Sequence, residues 1–154
     1  MVRPHLEYAN SVWGPTSRGD QDAVERVQRR ATRFVHSVRH LEYQDRLREL
    51  KLPSMYYRRL RGDVITVYLM LTGRLKVTAG DLLEREPSQR TRNHGLKLRQ
   101  PRVNTQLRQV SFCSRVISAW NGLPADVVSA PSVNAFKNRL DKFWTHRVYE
   151  LRCP

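Results

Sequence analysis

Apolar residues along this chain recur mostly at intervals of three and four, the spacing that gathers them on one side of a helix. Pro4 to Val12 forms a short helix-length window, closed by the breakers Trp13-Gly14-Pro15. Ser17 with Asp20 three residues on makes a capping arrangement for a helix expected from about Gly19 to Arg39. At roughly 100° per residue, Val24, Val27, Ala31, Phe34, Val35 and Val38 cluster on one side of it and predict its buried stripe. Tyr43 to Leu50 reads as a shorter helix anchored by Leu47 and Leu50. Pro53 and Ser54 then introduce the longest periodic stretch. There Tyr57, Leu60, Val64, Val67, Tyr68 and Leu71 predict a helix from about Met55 to Thr72 that stops at Gly73.

Helical spacing lapses over 74–108, where Gly80, Pro87, Gly95 and Pro101 interrupt the chain. Within that region Leu96-Lys97-Leu98-Arg99 alternates apolar with basic, as one short strand would. The period returns from Val110 to Asn121, with Phe112, Val116, Ile117 and Trp120 on one side, and Gly122-Leu123-Pro124 ends it. After Pro131, Ser132 is a good N-cap for a helix through about Arg147, with Val133, Phe136, Leu140, Phe143 and Trp144 as its buried stripe. Aromatic residues at helical spacing belong to cores far more often than to stacking platforms, so Trp120, Trp144, Phe136 and Trp13 are expected inside. The fold class expected is mainly α. A small helical bundle over 1–73 and a second helical unit over 109–154 are joined by a basic, irregular connector over 74–108 with room for one short strand pair.

Charge adds a partner to this outline. The 154 residues carry 28 Lys and Arg against 14 Asp and Glu, a formal net charge of +14, and 23 of the 28 cations are arginines. A polyanion is the leading partner, and the arginine excess favours two-pronged contact with phosphate oxygens. Arg26, Arg29, Arg30 and Arg33 fall within an arc about 100° wide on the expected helix, away from its apolar stripe. A merely solvated charged face is the alternative there. Arg58, Arg59 and Arg61 sit near the start of the Met55 helix, the wrong end for its dipole, and are expected to meet an external anion or an acidic side chain. From Pro87 to Ala125 run seven cations, Arg90, Arg92, Lys97, Arg99, Arg102, Arg108 and Arg115, with no acid between them. An ordered surface of that kind follows a nucleic-acid backbone, and a solvated connector is the alternative.

Several chemistries are not supported. Cys113 and Cys153 lie 40 positions apart with no C-x-x-C, which suits a reducing compartment. His5, His36, His40, His94 and His146 lack zinc-finger spacing to a cysteine, so neither a metal nor another cofactor is expected. No apolar run reaches the roughly 18 to 20 residues of a membrane span, and no signal-peptide core opens the chain. The expectation is a soluble intracellular protein, nuclear or cytoplasmic, neither secreted nor membrane-bound. GxGxxG, Walker, GxSxG and HExxH motifs are missing, and Asp20 with Asp22 reads as dipole complement rather than a metal pair. Two-metal nucleotide transfer needs paired carboxylates, and no adjacent Asp-Asp occurs. Neither catalysis nor a small-molecule substrate is expected of this chain by itself.

Certain motifs point to a family. Val2-Arg3-Pro4-His5-Leu6-Glu7-Tyr8-Ala9, then Trp13-Gly14-Pro15, then Glu25-Arg26-Val27-Gln28-Arg29-Arg30-Ala31-Thr32-Arg33 resemble the stretch just after the catalytic palm in jockey-like and chicken-repeat-like non-LTR retrotransposon reverse transcriptases. Tyr43 to Pro53, Tyr57-Arg58-Arg59-Leu60-Arg61-Gly62-Asp63 and Thr91-Arg92-Asn93-His94-Gly95 with Leu98 continue the likeness. So do Arg115-Val116-Ile117, Trp120-Asn121-Gly122-Leu123-Pro124, Ala130-Pro131-Ser132-Val133 and Phe136-Lys137-Asn138-Arg139-Leu140-Asp141. Asn93 stands where that family's Thr-Arg-Gly-His run has glycine, and Cys113 where an aromatic is usual.

The resemblance implies a thumb over roughly 1–73 and a carboxyl-terminal region that grips RNA and DNA. The family's palm, with its catalytic aspartates, and its endonuclease lie upstream of such a stretch, so the resemblance also implies a frame from a truncated element copy. A thumb's basic face tracks the phosphates of a primer-template duplex without reading sequence. On that reading the partners are RNA, DNA or an RNA–DNA hybrid. Arg26, Arg29, Arg30 and Arg33 lead the contacts, Arg58, Arg59 and Arg61 follow, and Arg90, Arg92, Lys97 and Arg99 serve in the second region. The alternatives are a helical module that binds an acidic protein, or a copy without function.

Overall fold

Three serines set where the longest helices begin. The computed structural model describes residues 10, 14–15, 17–76, 83–87, 95–102 and 111–151. Helix α1 spans Arg18–Arg33, with Ser17 Oγ accepting from the Asp20 N–H at 3.0 Å and donating to Asp20 Oδ2 at 2.7 Å. Helix α2 spans Tyr43–Glu49. Helix α3 spans Met55–Leu71 behind Ser54, whose Oγ accepts from the Tyr57 N–H at 3.1 Å. It stops, as the sequence predicts, at Gly73, whose φ of 66° suits a residue without Cβ. The Arg74 N–H there reaches the Leu69 carbonyl at 2.9 Å and the Gly73 N–H that of Met70 at 3.2 Å, so the terminal carbonyls are satisfied. Helix α4 spans Phe112–Asn121, α5 Ala125–Val128 and α6 Val133–Phe143, followed by one 3-10 turn over Thr145–Arg147. Ser132 Oγ caps α6 by accepting from the Ala135 N–H at 3.1 Å. The molecule is mainly α, as expected.

Helix ends depart from the sequence reading in two places. α1 stops at Arg33 rather than Arg39, because the Phe34 N–H turns back to the Ala31 carbonyl at 3.2 Å and 34–41 proceeds as turns. That reversal carries Val38 into the core and delivers the Leu41 carbonyl to the Arg46 guanidinium at 2.6 Å. α6 stops at Phe143 rather than Arg147. Trp144 turns inward to 2% exposure, edge-on to Tyr57 at 6.3 Å, whereas Phe143, expected in the buried stripe, is 40% exposed. The single turn of α5 was not anticipated, being too short to show a period, yet it buries Val127 and Val128. The expected Pro4–Val12 helix and Trp13 fall outside the described residues, apart from Asn10.

Contacts divide the chain into one unit of Met1–Arg61 with Trp144–Pro154 and another of Gly62–Phe143, boundaries that do not coincide with a segmentation at 73 and 108. The carboxyl-terminal stretch belongs to the first unit for a specific reason. The Ser54 N–H donates to the Val148 carbonyl at 3.0 Å and its hydroxyl to the Glu150 carbonyl, which ties 148–150 to the start of α3.

In the second unit, the Tyr68 ring stacks on Phe136 at 4.2 Å, with Trp120 tilted against Phe136 at 6.0 Å. Their polar ends are satisfied: Tyr68 Oη donates to the Ala130 carbonyl at 2.7 Å, and Trp120 Nε1 to the Leu96 carbonyl at 2.8 Å. Asn121 pairs with both backbone groups of Leu98, accepting its N–H at 2.9 Å and donating to its carbonyl at 2.8 Å. Where the sequence left room for a strand pair, the described residues form one antiparallel bridge, between Arg85 and Leu98. Arg115, part of the basic run without an internal acid, meets Asp63 from α3 at 2.9 Å.

Candidate nucleic-acid interface

Helix α1 packs the face that its sequence would have left outside. Glu25 and Thr32 are buried and Gln28 is half-buried, while Val27, Ala31, Phe34 and Val35 are exposed and Val24 is intermediate. Of the six residues predicted to form the buried stripe, only Val38 reaches the core, and it lies beyond the helix end.

The physical reason is a set of hydrogen-bond acceptors and donors that need α1's polar face. Glu25 Oε1 accepts from Tyr43 Oη at 2.5 Å and from the Met55 N–H at 3.3 Å, and Oε2 from the Tyr56 N–H at 3.3 Å. A buried carboxylate thus occupies the amino end of α3, where free N–H groups and the helix dipole favour an anion. Gln28 Nε2 donates to the Pro53 carbonyl at 2.9 Å, and Thr32 Oγ1 accepts from Arg46 Nε at 3.2 Å. Arg29 and Arg46 place their guanidinium carbons 4.9 and 5.6 Å from the Tyr43 ring centroid. Burial, and secondarily the facing Glu25 carboxylate, push the Tyr43 phenol far above its ordinary range, so it remains a donor.

With that face inward, the outer half of α1 carries two adjacent rows. At 100° per residue, Ala23, Val27, Ala31 and the C-cap residue Phe34, which keeps a helical backbone, span an arc of about 80°, and Arg26, Arg30 and Arg33 span about 60° beside them. The apolar row lies opposite Glu25 and Thr32, and the arginine row lies on its flank, roughly 120° from that buried pair. Arg26, Arg29, Arg30 and Arg33 are all exposed, and none forms an ion pair with a described carboxylate. An open depression of about 550 Å³ is lined by Ala23, Arg26, Val27, Arg29, Arg30 and Arg33. Four guanidiniums along roughly two turns form a surface able to take phosphate oxygens in pairs.

The other candidates are placed differently. Arg59 is buried at 7% exposure, and its carbonyl accepts from Asn10 Nδ2 at 3.2 Å, so it offers no face to an external anion. Arg58 and Arg61 are half-buried and engaged by neighbouring groups, Arg58 Nη1 lying 3.8 Å from Met55 Sδ. At the start of α3 the free N–H groups of Met55 and Tyr56 are already served by the Glu25 carboxylate. Lys97 and Arg99 flank Leu98 at the bridge in the second unit, and exposed Arg99 faces Glu84 at 3.5 Å. Arg90 and Arg92 lie outside the described residues.

Among the described residues no three His, Cys, Asp or Glu side chains converge on a metal-sized site, and no helix is long and apolar enough to cross a membrane. Burial raises the pKa of the half-buried Cys113 thiol, which keeps it protonated and weakly nucleophilic. Comparison with protein-family models, with curated proteins and with solved structures returns no match.

Proposed function

We propose that this chain binds the phosphate backbone of RNA, DNA or an RNA–DNA hybrid without reading sequence, through Arg26, Arg29, Arg30 and Arg33 of α1. The observation that carries this reading is the row of four exposed guanidiniums with no described carboxylate partner, in a chain of net charge +14. Arg29 keeps a fixed direction through its ring contact with Tyr43. Lys97 and Arg99 are secondary contacts, Arg99 being partly countered by Glu84. The ordered motifs that resemble jockey-like and chicken-repeat-like reverse transcriptases support the same reading. With them the proposal extends to origin: a non-catalytic, carboxyl-terminal part of such an enzyme.

Fluorescence anisotropy with an RNA–DNA hybrid tests it. Affinity is expected to fall by orders of magnitude between about 50 and 200 mM salt. Arg30→Glu with Arg33→Glu is expected to weaken binding at least about tenfold for unrelated sequences alike and to flatten the salt slope. Absence of micromolar binding near physiological salt, or equal binding by the double variant, rejects the reading.

A further inference from the structure

Phosphate binding leaves the apolar row of α1 without a purpose. Phe34 is 83% exposed, Val27 and Val35 are each 38% exposed, and Ala23 and Ala31 are open. Single exposed apolar residues are ordinary, but four in register on one helix face form a patch of the kind that marks an interaction site. Only one of the four is aromatic, so the row as a whole is poorly suited to stacking bases. Its spacing of four, four and three is instead that of a helix presenting a seam to another helix.

We propose that the outward face of α1 docks an acidic amphipathic helix of another protein, with Val27, Ala31 and Phe34 as the apolar seam. Charge complementarity fixes the occupant's chemistry. Arg26, Arg30 and Arg33 border the seam along one edge, without a described ion-pair partner, so the docked helix carries Asp or Glu one turn apart on the matching edge. The depression, whose described lining is Ala23, Val27 and the four arginines, receives one of its apolar side chains. A second copy of this chain fits less well. Antiparallel self-pairing sets arginine edge against arginine edge, between two molecules each of charge +14.

The test uses the full chain and a synthetic helical peptide of about 18 residues with leucines at helical spacing and glutamates along one flank. Two control peptides carry Leu→Ser or Glu→Lys exchanges throughout. The first peptide is expected to bind with micromolar Kd, each control at least about tenfold more weakly. Phe34→Ser in the protein is expected to reduce peptide binding at least about tenfold while the melting temperature and hybrid affinity stay unchanged, since this side chain is outside the core. Val27→Ser provides a second probe of the same seam. No binding, equal binding by the serine control peptide, or binding that survives both protein variants overturns the proposal. A dimer seen by sedimentation and dissolved by Phe34→Ser assigns the face to a second copy, and loss of single-stranded RNA binding in that variant assigns it to nucleic acid. Either result also overturns the proposal. Peptide binding with no hybrid binding would sink the proposed function alone.

Discussion

Among the described residues, the first unit buries Val38, Tyr43, Leu47, Met55, Tyr57 and Trp144 together with Glu25, Thr32, Arg46, Ser54 and Arg59. Among its described residues the second unit buries fifteen apolar side chains and, of polar or charged ones, only Asp63 and Ser114. Five buried polar or charged side chains, joined through Glu25, Tyr43, Thr32 and Arg46, make hydrogen-bond geometry a major determinant of how the described part of the first unit is arranged. Shape and volume set that of the second, around the stacked Tyr68, Phe136 and Trp120. The contrast has a consequence for surfaces. A helix held by its polar face, as α1 is by Glu25 and Thr32, leaves its apolar residues outside and available to a partner.

The largest expected effect belongs to the apolar unit. Phe136→Ala removes a fully buried ring between Tyr68 and Trp120 and is expected to cost about 4 kcal/mol, measured by urea unfolding. A cost below about 1 kcal/mol would show that this core is not packed as described. Next, Glu25→Ala strands the Met55 and Tyr56 N–H groups and the Tyr43 hydroxyl, with an expected cost of about 3 kcal/mol despite the small volume lost. If that variant is as stable as the parent, the polar account of the first unit fails.

Tyr43→Phe separates the units by pH. Because the folded phenol's pKa is raised, the unfolded chain releases this proton first, from about pH 10 upward. The stabilisation is complete below that pH and declines above it by about 1.4 kcal/mol per pH unit. The Phe variant is expected to lose about 1 kcal/mol at neutral pH and to fall less steeply than the parent between pH 10 and 11. Parallel curves would remove Tyr43 from the network. The smallest effect is expected at Phe34. Phe34→Ser should change stability by less than about 0.5 kcal/mol, and a larger loss in thermal melting would place that ring in a core rather than on a surface.

Much of the second unit was legible in the sequence because its helices are amphipathic in the ordinary sense. Val116, Ile117, Trp120, Phe136 and Leu140 were expected inside and are inside. The caps at Ser17 and Ser132 and the stop at Gly73 were legible too, since each is a local match between side-chain chemistry and backbone groups. The inward face of α1 was not. Periodicity ranks faces by hydropathy, and Glu25 and Thr32 become interior only because Tyr43, Arg46 and the start of α3 supply partners from distant positions. Arg59 misled in the same way: its charge signalled a surface, and its burial depends on neighbours that no local spacing records.

By itself, then, the sequence determined a helical chain, where its capped helices begin, and a strong cationic excess with arginine rows, because these follow from short-range spacing, capping chemistry and composition. Tertiary structure alone decided which way α1 faces. Three hydrogen bonds to the Glu25 carboxylate hold the polar face of α1 inward, and they leave arginine and apolar rows side by side on the outside.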